Sequence, residues 1–139
     1  MSYTNYVYHN WYNRLPTYRR KMNKKEDKYS VFKKTKELDE YVRKYVIVNF
    51  PKVHNTLRIE LENDILKLIK DVFYVYYNVG NLKKKYLVEC MVDISMIDYI
   101  LRTIMDNQIV KCKYILETIR RLTDIKNIIY AWKATADAS

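Results

Sequence analysis

The chain has 139 residues and a 49% hydrophobic composition, enough for one domain with its own core and too short for two comfortable ones. A single glycine, Gly80, and two prolines, Pro16 and Pro51, point away from a sheet protein, which spends many such residues on hairpin turns, and towards helices. The formal charge of +10 is lopsided: residues 1–36 carry ten basic side chains against Glu26 and Asp27, a net of +8, so attraction to polyanions is concentrated in the N-terminal quarter.

Residues 1–32 show no sustained hydrophobic period and read as a flexible basic arm. The run "YRRKMNKKEDK" is too polar to bury, so disorder, or ordering on a partner, is the expectation. The fold class expected for residues 33–134 is all-α, an antiparallel up-and-down four-helix bundle, with residues 135–139 as a tail. A first helix is predicted from Lys33 to Phe50 on the steps Leu38, Val42, Tyr45, Val46 and Phe50. Pro51 ends it, because proline lacks the amide donor and disfavours helical geometry in the residue before it.

Asn55 or Thr56 is the predicted cap of a second helix, whose stripe is Leu57, Leu61, Ile65, Leu68, Val72 and Tyr76. It stops near "NVGN", where Gly80 suits the left-handed position past a helix end. The third helix is predicted over Leu82 to Met105 on Tyr86, Cys90, Ile94, Ile97, Leu101 and Ile104. A fourth follows the "DNQ" break on Cys112, Ile115, Ile119, Leu122, Ile125 and Ile129, with Leu116, Ile128 and Trp132 widening that face. Short connections between helices of matched length favour antiparallel neighbours. Ile59, Leu66, Ile69, Phe73, Leu87, Met91, Ile100 and Met105 make the apolar arcs broader than one seam requires. Generous core packing and a second face buried between subunits both account for them.

No uncharged run approaches the roughly 20 residues of a membrane span, and the N-terminus lacks the apolar core of a signal peptide, so a cytoplasmic protein with no membrane contact is expected. Cys90 and Cys112 fall in apolar surroundings of separate helices and are expected to be reduced, buried thiols. No metal or other cofactor is expected, since His9 and His54 are distant in sequence and no Glu-x-x-His pair occurs. A lone glycine rules out a phosphate-cradling glycine loop, and no enzyme activity is expected.

The order "NFPK", "NTLRIELENDIL", "LVECMVDISMIDYILRTIM" and "IKNIIYAWK" resembles the accessory variability determinant (Avd) proteins of diversity-generating retroelements, part of a wider four-helix-bundle group that includes proteins of ribosomal RNA intervening sequences. Phe50, Pro51 and Lys52 match the family's break after its first helix. Asp98 and the pair Leu101-Arg102 match its third helix, and Trp132-Lys133 its closing tryptophan and lysine. Tyr130 and Ala131 stand where family members often carry two glycines, and the Asn-Ile-x-Glu-Gly signature of the ribosomal branch is absent. The resemblance covers about residues 33–133. It implies a non-enzymatic homo-oligomer, a ring-shaped pentamer with a basic surface, whose partners are the retroelement reverse transcriptase, its template RNA and the cDNA made in mutagenic reverse transcription. The alternative is a structural or protein-interaction bundle.

Within the arm, Arg14, Arg19, Arg20, Lys21, Lys24, Lys25 and Lys28 can neutralise phosphates, as can Lys33, Lys34 and Lys36 just beyond it, while Trp11, Tyr12 and Tyr18 can stack on unpaired bases. A solubilising tail and docking on a protein partner are the competing readings. Lys83, Lys84 and Lys85 open the third helix, where the helix dipole disfavours positive charge; a phosphate offsets that cost, though solvated lysines at a helix end are equally ordinary. Arg120 and Arg121 lie beside the apolar stripe of the fourth helix, suited to RNA, subunit contact or a wet face. Arg102 is placed to pair with Asp98 one turn away, and Asp93 on an apolar face reads as a structural polar group.

Overall fold

A computed structural model describes residues 28–138 as an all-helical protein, with four long α-helices and no strand among them. The helices are α1 (Lys28–Tyr41), α2 (Asn55–Tyr77), α3 (Gly80–Asp106) and α4 (Cys112–Ala138). α2 packs on α3, α3 on α4, and α1 lies against both α2 and α4. Residues 1–27 and Ser139, including the predicted arm contacts Arg14 to Lys25, lie outside the described residues.

α1 starts at Lys28, five residues before the predicted Lys33. Val31 and Phe32 are the reason: both are fully buried, and the Phe32 ring lies 4.9 Å from Phe73 and 5.8 Å from Tyr76 of α2. Those partners are distant in sequence, so the local pattern, "KYSVFKKTKE", hides them. Thr35 is buried as well, and its hydroxyl donates to the Phe32 carbonyl at 2.9 Å.

Past Tyr41 the helix widens into a π turn, Val42–Val46. Leu38, Val42 and Val46 are all buried at steps of four, and on a 3.6-residue helix such steps drift around the axis; the wider turn takes up that drift. A short 3₁₀ turn, Ile47–Asn49, then gives way to extended backbone at Phe50 and Pro51, the break the sequence predicts. A second 3₁₀ turn, Lys52–His54, leads into α2.

Neither Asn55 nor Thr56 caps α2. Asn55 is already its first residue, and its side-chain oxygen accepts instead from Arg58 Nε at 2.8 Å. Gly80 does adopt left-handed geometry, with φ +62°, but it opens α3, and the extended residues Asn78 and Val79 separate it from the end of α2. The end of α3 is closed by Gln108 at φ 54°: its amide donates to the Met105 carbonyl at 3.1 Å, and the Ile109 amide reaches back to Ile104 at 3.0 Å. This is the Schellman arrangement, with buried Ile109 as its apolar anchor.

The core is formed by Leu61, Ile65, Leu68 and Val72 of α2, Cys90, Ile94, Ile97, Leu101 and Ile104 of α3, and Ile115, Leu122, Ile125 and Ile129 of α4, together with the α1 residues above. Phe50, Leu57, Tyr76, Tyr86, Ile119, Ile128 and Trp132 pack at its margin, and Tyr45 is half-buried. Cys112 and Leu116 depart from prediction: both are exposed, because the inward face of α4 begins at Ile115 and Cys112 is merely its first residue. Of the broad apolar arcs, Leu87 and Ile100 are buried, whereas Ile59 and Leu66 face outward. Among the described residues no helix is long and apolar enough to cross a membrane.

Candidate nucleic-acid interface

The Phe32 contacts with Phe73 and Tyr76 bring the start of α1 to the end of α2, and Tyr74 stacks on Tyr86 of α3 at 4.6 Å and 15°. These rings put two predicted lysine groups at one end of the molecule, Lys33, Lys34 and Lys36 beside Phe32 and Lys83, Lys84 and Lys85 beside Tyr86. Lys33 and Lys85 are exposed, and Lys34, Lys83 and Lys84 half-buried. Lys36 holds Glu40 at 3.0 Å. Lys33, Lys34, Lys70, Lys84 and Lys85 make no ion pair among the described residues. Of the nearby carboxylates, Glu89 pairs with Lys67 at 3.5 Å and Asp137 with Lys133 at 2.6 Å, while Glu37, one turn from Lys33 and Lys34, is in no ion pair among the described residues. α1 begins at this end, with Lys28 as its first residue.

Arg120 and Arg121 are placed differently. Arg120 donates to Glu117 at 2.6 and 2.9 Å and to Asp124 at 3.3 Å, while Arg121 donates to Glu117 at 3.1 Å and lies over the Tyr41 ring at 4.8 Å. Their hydrogen bonds hold the Glu117 carboxyl below its ordinary pKa and keep Arg120 firmly protonated. Tyr41 stands nine residues beyond Phe32, about 13 Å along a helix, so this arginine pair sits away from the lysine-rich end with its charge matched by carboxylates. Arg102 donates to Asp98 at 2.9 Å, the predicted one-turn pair.

A pattern that the sequence reading missed is the pairing of lysines with tyrosines. Lys70 lies over Tyr74 at 5.8 Å, Lys85 over Tyr86 at 5.4 Å and Lys126 over Tyr130 at 5.4 Å. The four-residue spacing of Lys70 to Tyr74 and of Lys126 to Tyr130 was the available signal. A tyrosine cluster also forms where α1 and the π turn meet α4: Tyr45 stacks on Tyr114 at 5.4 Å and meets Tyr41 at 4.7 Å with a 41° tilt, beside a cleft of about 410 Å³ lined by Asn49, Met105, Gln108 and Tyr114 among others.

The other polar feature is interior. Lys67 of α2 donates to Asp71 at 3.0 Å and to Asp93 of α3 at 2.9 Å, and both carboxylates are buried. Asp93 Oδ2 has no hydrogen-bond donor, which an ionised carboxylate needs; with a proton on it, Asp71 becomes its acceptor. Burial foremost, then the hydrogen bond with Asp71, pushes the Asp93 carboxyl up to about 7 against the pull of Lys67. Hydrogen bonds to Asp93 and Asp71 raise the Lys67 ammonium in turn. Burial also pushes the neighbouring Cys90 thiol up, leaving it a neutral core residue with no nucleophilic character. The described residues contain no cluster of His, Cys, Asp or Glu that could hold a metal ion.

Compared with family models, curated proteins and solved structures, the chain finds no match.

Proposed function

We propose that this is a non-enzymatic accessory protein of a diversity-generating retroelement, binding template RNA or cDNA through its lysine-rich end and arm while the reverse transcriptase supplies the chemistry. The observation that carries the binding half is the gathering of Lys33, Lys34, Lys84 and Lys85, without ion pairs among the described residues, at the end where residues 1–27, six basic against Glu26 and Asp27, join the helices. Lysines that repel one another are stabilised by a polyanion, and each phosphate neutralised releases counterions. The assignment to a retroelement rests on the sequence resemblance.

The finer architecture in this reading is an antiparallel up-and-down bundle. Lys67 with Asp93 and Tyr74 with Tyr86 approach the α2–α3 turn together, and Tyr41 with Arg121 and Tyr45 with Tyr114 do the same along α1 and α4, the pairing antiparallel neighbours require. A cytoplasmic location accompanies the proposal.

A second reading, a structural or protein-interaction bundle, is favoured by one observation. Val88, Val92, Met96 and Tyr99 form an exposed stripe at helical spacing along α3, and Ile59 and Leu66 are exposed on α2. Assembly into a homo-oligomer, a pentamer in the family this chain resembles, would cover such a stripe and is part of the leading proposal. Binding of single-stranded RNA that weakens with salt, with a log–log slope of about −0.7 per phosphate, supports the first reading. No binding in dilute buffer, together with self-association or capture of an acidic protein, supports the second. A reverse transcriptase gene with near-identical template and variable repeats beside this one is the further test of the retroelement assignment, and their absence counts against it.

A further inference from the structure

We infer that the Lys70–Tyr74–Tyr86–Lys85 stack across α2 and α3 is a base-stacking platform for single-stranded nucleic acid. The inference rests on the nucleic-acid reading above and gives it a specific site on the described helices, separate from the arm. The two rings lie 4.6 Å apart and only 15° from parallel, and each carries a lysine ammonium over its face, Lys70 at 5.8 Å from Tyr74 and Lys85 at 5.4 Å from Tyr86. Cation, ring, ring and cation thus follow one another across the seam.

The packing of the fold does not account for this order. Tyr74 is 39% exposed and Lys70 and Lys85 are both exposed, so neither the tyrosine hydroxyl nor the flanking charges serve the core. An exposed lysine over a ring gains about 0.5–1 kcal/mol, weak enough for the ammonium to be exchanged. An unpaired base offers the ring a larger flat surface, and the phosphates on either side of it offer the displaced ammonium a full charge. Tyr77, 63% exposed, lies one turn from Tyr74 on the same helix. Duplex bases hide their faces in the stack, which makes the single strand the ligand.

The Tyr41–Tyr45–Tyr114 cluster is the natural control. Tyr45 and Tyr114 are stacked at 5.4 Å with Lys44 and Lys113 over their rings at 5.3 and 5.1 Å, but both tyrosines are half-buried, and Glu117, held by Arg120 and Arg121, lies close by. The half-buried rings there leave a base less open face than exposed Tyr74 does.

The test is fluorescence anisotropy of the full chain with labelled oligouridine and oligodeoxythymidine of equal length, at low and high salt. Tyr74→Leu is expected to weaken binding about tenfold, the effect of one lost base stack, and to leave the salt slope unchanged. The double variant Lys70→Gln, Lys85→Gln is expected to flatten the log–log salt slope by about 1.4, or about 0.7 per phosphate. Tyr45→Leu is expected to stay within about twofold of the parent, and circular dichroism of each variant confirms retained helicity. Binding of oligouridine alone makes RNA the ligand, of oligodeoxythymidine alone cDNA, and of both either strand; all three support the platform. A parent that binds while Tyr74→Leu binds equally well overturns the platform and leaves the broader reading standing. Equal losses from Tyr45→Leu and Tyr74→Leu overturn it also, and a parent that binds neither strand overturns both. Photocross-linking with bromouridine gives an independent readout, in which the peptide containing Tyr74 should carry the adduct and adducts confined to other peptides count against the site.

Discussion

Replacing Asp93 by Asn tests the α2–α3 seam most sharply, because Asn keeps the shape and removes the titration. Asp93 is 5% exposed, with Lys67 and Asp71 facing it from α2 and Glu89 and Cys90 on its own helix. Its carboxyl rises from 3.8 to about 7, so the folded protein holds this proton more tightly than the unfolded chain does. Below the unfolded value both states are protonated and the site is neutral in its effect. As pH climbs from about 4 to about 7, the unfolded chain ionises freely while the folded one resists, and stability falls. A shift of about three units corresponds to about 4 kcal/mol at most. Because half-exposed Lys67 opposes the shift and relaxes around the carboxyl, the working figure is about 2 kcal/mol. Urea unfolding of the parent and Asp93→Asn, followed by circular dichroism between about pH 5 and pH 8, cancels the titrations common to both chains and leaves that of Asp93 with its partners. The variant should gain about 2 kcal/mol relative to the parent across that range, whatever constant offset separates the two curves. A difference that stays flat, or that moves in favour of the parent, refutes the burial argument for this carboxyl.

The remaining predictions concern the fold. Phe32→Ala should cost about 3–5 kcal/mol in unfolding free energy, because the ring is fully buried against Phe73; a loss under about 1 kcal/mol would mean that α1 is not seated as described. Gly80→Ala should destabilise by about 1–2 kcal/mol through the left-handed backbone alone, since nothing lies within 4 Å of the added methyl; a neutral result in chemical denaturation would contradict that geometry. In the native protein a thiol reagent should modify exposed Cys112 quickly and buried Cys90 only after denaturant is added, and equal rates by mass spectrometry would contradict the placement of both.

Much of the helical framework was legible in local spacing. Leu61, Ile65, Leu68 and Val72, and equally Ile94, Ile97, Leu101 and Ile104, step by threes and fours and are buried as that period requires. Pro51 marks the break after the first helix because its effect is covalent and local. What stayed hidden depends on partners far along the chain. Phe32 looks like part of a polar segment until Phe73 is beside it, and Asp93 looks like an isolated acid until Lys67, 26 residues away, reaches across the seam. Cys112 fits the apolar stripe by spacing but is the first residue of α4, and burial on that helix begins only at Ile115. Of the candidate site, the lysines could be picked out one by one. Their gathering at one end, the commitment of Arg120 and Arg121 to Glu117, and the Tyr74–Tyr86 stack are products of packing.

The most direct test of the nucleic-acid reading is a salt titration of single-stranded RNA binding by the full chain and by the triple charge reversal Lys33→Glu, Lys34→Glu, Lys84→Glu. Affinity should fall steeply with salt for the parent, and the triple variant should bind more weakly with a slope flatter by about 2, the loss of three phosphate contacts. A parent that ignores RNA in dilute buffer, or a variant that matches it at every salt concentration, would contradict the proposal that this end of the molecule grips polynucleotide.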